Sequence, residues 1–181
     1  MRFSVGLWAL IFSVSCSDPK DDTARVASEL VDANAWSRVV GSDDPFEGAG
    51  GSDDDCDESA FGPEDFGGEL AFEVRTDICP RVTVAQPALA GLRAGDEVFI
   101  RGWHERLTAP EAAEAVLALA IAGKEVWRET IPIPQDGGGI VLGELVVGRD
   151  YDAGTAIAWH VHNHGQNGYQ LLEVSGGPPS R

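Results

Sequence analysis

The sequence is short of positive charge. Its 181 residues carry 13 lysines and arginines against 30 aspartates and glutamates, a formal charge of −17. There is no basic stripe, so a phosphate backbone meets repulsion, which argues against nucleic-acid binding. Long apolar runs are missing too. The stretch from Phe3 to Val14 is too short to span a bilayer. Catalytic signatures are equally absent, with no nucleophile elbow, phosphate loop or dinucleotide fingerprint. Gly137-Gly138-Gly139 lacks the lysine and the following helix that a phosphate cradle needs, and reads as a flexible loop. An enzyme reading rests only on paired carboxylates, whose separation is set by the fold. The expectation is a protein without catalytic residues and without a required cofactor.

Cysteine is scarce, and its count is odd: Cys16, Cys56 and Cys79. The first sixteen residues read as an export signal. Arg2 supplies the positive charge, an apolar run follows, and small Ser13 and Ser15 precede Cys16. Ser13-Val14-Ser15-Cys16 resembles a bacterial lipobox, in which the cysteine becomes the lipid-carrying N-terminus. It departs from the family pattern at Ser13, where a branched aliphatic residue is usual. Ordinary cleavage after Ser15 is the competing reading, and would give a soluble secreted protein. The cysteine count favours the anchor. An unpaired thiol is a liability in an oxidising compartment, and a lipid on Cys16 leaves Cys56 and Cys79 as one pair. That bond would contribute roughly 3 kcal/mol on the chain-entropy account. The expected location is the cell envelope, with the membrane reached through the N-terminal lipid.

The acid is unevenly spread, with a net −11 over residues 1–68 and −6 over the rest. Residues 20–40 carry a weak helical pattern without good caps. From Gly41 to Gly68 there is no lysine or arginine, and the composition is dominated by Gly, Ser, Asp, Glu and Pro. Such a stretch buries too little apolar surface to offset its ordering entropy. Asp53-Asp54-Asp55-Cys56-Asp57-Glu58 lacks the alternating ligands and central glycine of a calcium loop, and reads as a solvated spacer. The domain reading is therefore a signal at 1–15, a mostly disordered acidic tether at 16–68, a folded domain at 69–175 and a disordered tail at 176–181.

Period-two alternation begins after the tether. Large apolar residues alternate with small or charged ones in 70–75, 81–86 and 97–102, each bounded by turn residues. Thr108-Ala109-Pro110-Glu111 matches a helix start, so a short helical turn at 108–113 is one expectation. Leu117-Ala118-Leu119-Ala120-Ile121-Ala122 instead alternates large and small. It predicts a hairpin of about 114–122 and 125–131 turning at Gly123-Lys124. Further strands are expected at 140–147, around the histidines, and at 169–174 after a second hairpin loop, Gly165-Gln166-Asn167-Gly168. Short strands at regular spacing with little helix predict an all-β, two-layer antiparallel sandwich. Ala94-Gly95-Asp96 leading to Trp103-His104 is echoed by Ala153-Gly154-Thr155 leading to Trp159-His160, as in matching strands of two sheets.

The layout from Gly91 to Val174 resembles jelly-roll modules of the carbohydrate-binding and galactose-binding-like type. The carriers are the Ala94-Gly95-Asp96 turn, the hairpin running through Gly123 to Trp127, and the Ala153-Gly154-Thr155 turn. The resemblance implies ligands held by aromatics and loops, but assigns no single binding residue.

Two surfaces are candidates for function. In the strand Trp159-His160-Val161-His162-Asn163-His164, parity puts Ile157, Trp159 and Val161 on one face and the three imidazoles on the other. Two neighbouring histidines can chelate an ion, whereas His160 and His164 stand about 13 Å apart on an ideal strand. A zinc or copper site would draw a third ligand from elsewhere, either His104, the only other histidine, or an Asp or Glu. The structural alternative is that these histidines only fill a sheet face. The aromatics are the second candidate. Trp159 reads as core, while Trp103 and Tyr169 sit at strand ends near loops, where a sugar could stack. Non-catalytic recognition of a glycan or envelope partner is the leading expectation. A metal-binding domain built on His104, His160, His162 and His164 is the second, and a purely structural envelope protein the third.

Overall fold

The computed structural model describes residues 25–46, 56–163 and 165–179. The export signal, Cys16, His164 and residues 180–181 lie outside the described residues.

Among the described residues the chain forms eleven strands: β1 (Ser28–Glu29), β2 (Ser37–Arg38), β3 (Phe61–Phe66), β4 (Glu69–Arg75), β5 (Arg81–Pro87), β6 (Glu97–His104), β7 (Ala113–Ile121), β8 (Lys124–Ile133), β9 (Gly139–Val146), β10 (Ala156–Asn163) and β11 (Gly168–Gly177). They make two antiparallel sheets. Sheet one runs β3-β4-β11-β6-β9, with β1 also on β11, and sheet two runs β2-β5-β10-β7-β8. The sheets enclose one core, in which Phe72, Val74, Val98, Ile100 and Val174 of sheet one face Val82, Val84, Leu117, Leu119, Ile157, Trp159 and Val161 of sheet two. The expected all-β sandwich is what the chain forms. No helix among the described residues is long and apolar enough to cross a membrane.

The alternation in β7 and β10 works as period two requires. Ile157, Trp159 and Val161 enter the core, and Ala158 and His160 face outward. The β7–β8 hairpin forms where expected, but it turns at Ala122-Gly123, one residue earlier than Gly123-Lys124. Both residues are left-handed, at φ 52° and 72°, as a two-residue turn matched to strand twist demands. The segment 108–112 contains no helix. The open side between β8 and β9 is closed by Trp127. Its ring stacks on Trp159 with centroids 6.0 Å apart, and a Cβ at Gly143 would meet the indole nitrogen at 2.5 Å.

Three sequence expectations need correction. First, the folded unit begins far ahead of residue 69. Residues 25–46 cross from one sheet to the other, with β1 on β11 and β2 on β5, and β3 lines up on β4. Long-range clamps set this order. Leu30 is fully buried and donates its N–H to Val174 at 2.8 Å. Arg25 makes two bonds to Asp96, at 3.0 and 2.6 Å. Gln86 and the backbone of Asp32 exchange two more. Pro63 lies on β3, an edge strand, where a missing N–H is tolerated. The expected disulfide is present, Cys56 to Cys79, and ties the residues leading into β3 to the loop before β5.

Second, Gly165-Gln166-Asn167 joins strands of different sheets, so it is an arch and not a hairpin loop. Asn167 fixes it. Its side chain bonds both backbone groups of Thr108, at 2.6 and 3.1 Å, and Thr76 and Asn167 bond through backbone and hydroxyl. Third, Gly176 and Gly177 belong to β11 and are buried, since Leu30 and Ala27 pack where side chains would stand.

Candidate functional site

Parity gives each sheet an outer face, and the two differ. On sheet two several outward residues of the central strands are alanines. Ala118, Ala120 and Ala158 are buried because Phe46 packs on them. The segment ending at Phe46 brings Asp44 with it. Arg81 Nη2 reaches Asp44 Oδ2 at 3.0 Å and the Phe46 carbonyl at 2.9 Å. The Thr83 hydroxyl lies 2.9 Å from Asp44 Oδ2 and 2.8 Å from His160 Nδ1. A carboxylate can only accept, so Thr83 donates its single proton to Asp44. His160 then donates from Nδ1, and its Nε2, which has no partner, is the bare nitrogen. Phe46 stacks on the imidazole with centroids 4.9 Å apart. Burial, and then the charges of Arg81, His162 and Arg128, lower the His160 pKa from 6.5 to about 3. This histidine is a neutral member of a closed network.

The three described histidines, His104, His160 and His162, are not brought together. His162 shares the outer face with His160, ring centroids 6.4 Å apart, and is half-buried. His104 sits in the other sheet, turned toward the core. It donates from Nδ1 to the Glu105 carbonyl at 2.7 Å and packs 6.4 Å from the Tyr169 ring. Among the described residues no three His, Cys, Asp or Glu side chains are grouped to hold a metal ion. The echo of Trp-His in β6 and β10 does fall in opposite sheets. Its parity is reversed, however: Trp159 and His104 point in, while His160 and Trp103 point out.

That reversal puts Trp103 on the outer face of sheet one, where it is half-buried with Phe66 at 5.9 Å between centroids. Tyr169 does not join it. It faces the core at 1 % exposure, its hydroxyl has no hydrogen-bond partner, and burial pushes its pKa well up. The expectation for Tyr169 therefore fails, because its neighbour Gln170 takes the outward position opposite Trp103. Sequence reasoning missed Gln170. Its amide nitrogen lies 3.5 Å from Glu64 of β3 and 3.3 Å from Glu73 of β4. Burial, and then the Glu64 charge, raise the Glu73 pKa above its usual range.

Farther along the same face, Arg101 is held by Glu69 and, at 3.3 Å, by Glu173. A cleft of about 370 Å³ opens there, lined by Glu29, Trp36, Leu70, Arg101 and Leu172 among others. Burial, then Glu173, raise the Glu29 pKa. The edge strand β9 adds exposed Ile140, Leu142 and Val146. Sheet one thus presents an aromatic platform with carboxylates and an amide beside it. Sheet two presents alanines under a cover.

No protein-family model matches the chain, and no curated protein does. Solved structures do. One similar structure is a carbohydrate-binding module, TmCBM27, described by its specific mannan recognition. It matches with a TM-score of 0.53 at 9% identity, over 86% of this chain and 98% of that one. Another is an arabinose-bound α-L-arabinofuranosidase, MgGH51, with a TM-score of 0.50 at 11% identity, over 84% of this chain. The chain spans only 27% of that enzyme. At these identities the likeness is one of fold.

Proposed function

We propose that this chain is an exported, lipid-anchored module that recognises a glycan without catalysis, across the outer face of sheet one. The observation that carries this reading is Trp103, half-buried beside Phe66, with Gln170 opposite it on the adjacent strand and Glu64 and Glu73 at the Gln170 amide. A sugar ring offers an apolar C–H face and a rim of hydroxyls. An indole takes the first, and carboxylates and amides take the second, so orientation and affinity come from one short stretch of sheet. The fold shared with a mannan-recognising module supports this choice of ligand class.

The test is a glycan array probed with the full chain. Binding to at least one glycan class is expected. Trp103→Ala should weaken it by about 2 kcal/mol, roughly thirtyfold, with the fold retained by circular dichroism. An empty array, or a Trp103→Ala variant that binds like the parent, would remove the reading. The anchor is tested separately. The mature N-terminus should be a lipid-modified Cys16, and a mass spectrum showing that cysteine unmodified would leave the secreted alternative.

A further inference from the structure

The chemistry around Gln170 says more about the ligand, on the premise that the outer face of sheet one binds glycans. Glu64 and Glu73 share the two N–H groups of one amide nitrogen, and both contacts are long, at 3.5 and 3.3 Å. Gln170 is only 3 % exposed, yet its Oε1 has no partner. The amide orientation is fixed by chemistry, since turning it would set Oε1 against two carboxylates. Glu105 adds a further negative charge felt by Glu73. Among the described residues the cation that acts on Glu73 is Arg75, and it is drawn to Asp77 at 3.4 Å. The spot therefore holds acceptors in excess: two carboxylates and a buried amide carbonyl, with Gln170 paired to Trp103 across neighbouring strands.

Neutral hydroxyls satisfy this set less fully than an ammonium does, since each supplies one proton and no charge. An anionic sugar would be repelled. A metal ion fits no better, because among the described residues no three His, Cys, Asp or Glu side chains are grouped to hold one. A primary ammonium supplies three donors and the missing positive charge, and its ring carbons can lie on the indole. We infer that the glycan recognised here carries free amino groups, as an unacetylated amino sugar does, and that the ammonium sits between Glu64 and Glu73 next to Trp103.

The probe is a matched pair of oligosaccharides, glucosamine hexamers with free and with N-acetylated amines. Both are titrated calorimetrically into the full chain at about pH 6, where the sugar amine is protonated. The free-amine hexamer is expected to bind at least about tenfold tighter. Its binding should weaken severalfold between about 50 and 500 mM salt. Glu73→Gln, close in shape and neutral, should remove most of that preference. Equal binding of the two hexamers would overturn the inference, and so would an unchanged preference in Glu73→Gln, which would mark diffuse attraction to an acidic chain. If neutral glycans still bind in a Trp103-dependent way, only the amine inference falls. If no glycan binds, the recognition reading falls with it.

Discussion

Trp159→Ala is expected to destabilise the protein by about 3–5 kcal/mol. For a domain whose whole stability is of order 5–15 kcal/mol, that is a large fraction. The size follows from position. Trp159 is 1 % exposed at the centre of sheet two, between β5 and β7, and its ring carries the stacked Trp127. Trp127 in turn lies over Gly143 of the opposite sheet, so removing one indole loosens the other. Trp159→Phe should cost much less. The Trp159 ring nitrogen is buried without a partner, so phenylalanine also removes an unsatisfied donor. Thermal unfolding followed by circular dichroism should show a melting temperature lower by roughly 10 °C for the alanine variant. A shift of a degree or two would mean that the two indoles do not support each other.

The second large effect is a loss of stability on mild acidification, traced to His160. Its native pKa is lowered to about 3 from 6.5, so the folded protein holds it neutral. Below pH 6.5 the unfolded chain binds a proton that the folded chain refuses. The stabilisation is fully present above that pH and is lost as pH falls from 6.5 toward 3. The slope approaches about 1.4 kcal/mol per pH unit, or on the order of 3 kcal/mol by pH 4. Arg81, His162 and Arg128 oppose the charge, and Asp44 is already taken by Arg81 and Thr83. Other groups act elsewhere or in the opposite sense. Burial pulls the Asp96 pKa up, but its bonds to Arg25 and the Arg93 N–H outweigh this, so it titrates below the usual carboxylate range. Burial raises Glu29 and Glu73, so the folded state takes up their protons more readily than the unfolded chain as pH falls, which favours folding. Comparison with His160→Gln isolates the histidine. Urea unfolding between pH 7 and pH 4 should give a flatter profile for the variant. Parallel profiles would show that His160 is not the group responsible.

Much of the core was readable from residue parity. Ile157, Trp159 and Val161 point inward as two-residue alternation demands. The limits were of two kinds. Parity tells which residues share a face, but not which face is inside. Trp103-His104 and Trp159-His160 are the same dipeptide read in opposite senses, and Tyr169 was misassigned for the same reason. Residues 25–46 and 56–68 were misread because their order is not local. Composition predicted a loose acidic stretch, whereas Arg25 finds Asp96 71 positions away and Asp44 finds Arg81 37 away. The candidate site was hidden in the same way. Gln170 meets Glu64 and Glu73 across 106 and 97 positions, through pairing of β3, β4 and β11 that no short window encodes.

The clamp between Arg25 and Asp96 also fixes a direction. Asp96 stands at the start of β6 and Trp103 near its end, about 20 Å away along an extended strand. Only eight residues separate Cys16 from Arg25, a leash of roughly 30 Å at full stretch. With a lipid on Cys16, the sandwich would stand close to the bilayer on its Asp96 end. The indole would then be held at the distal tip, facing outward to what passes.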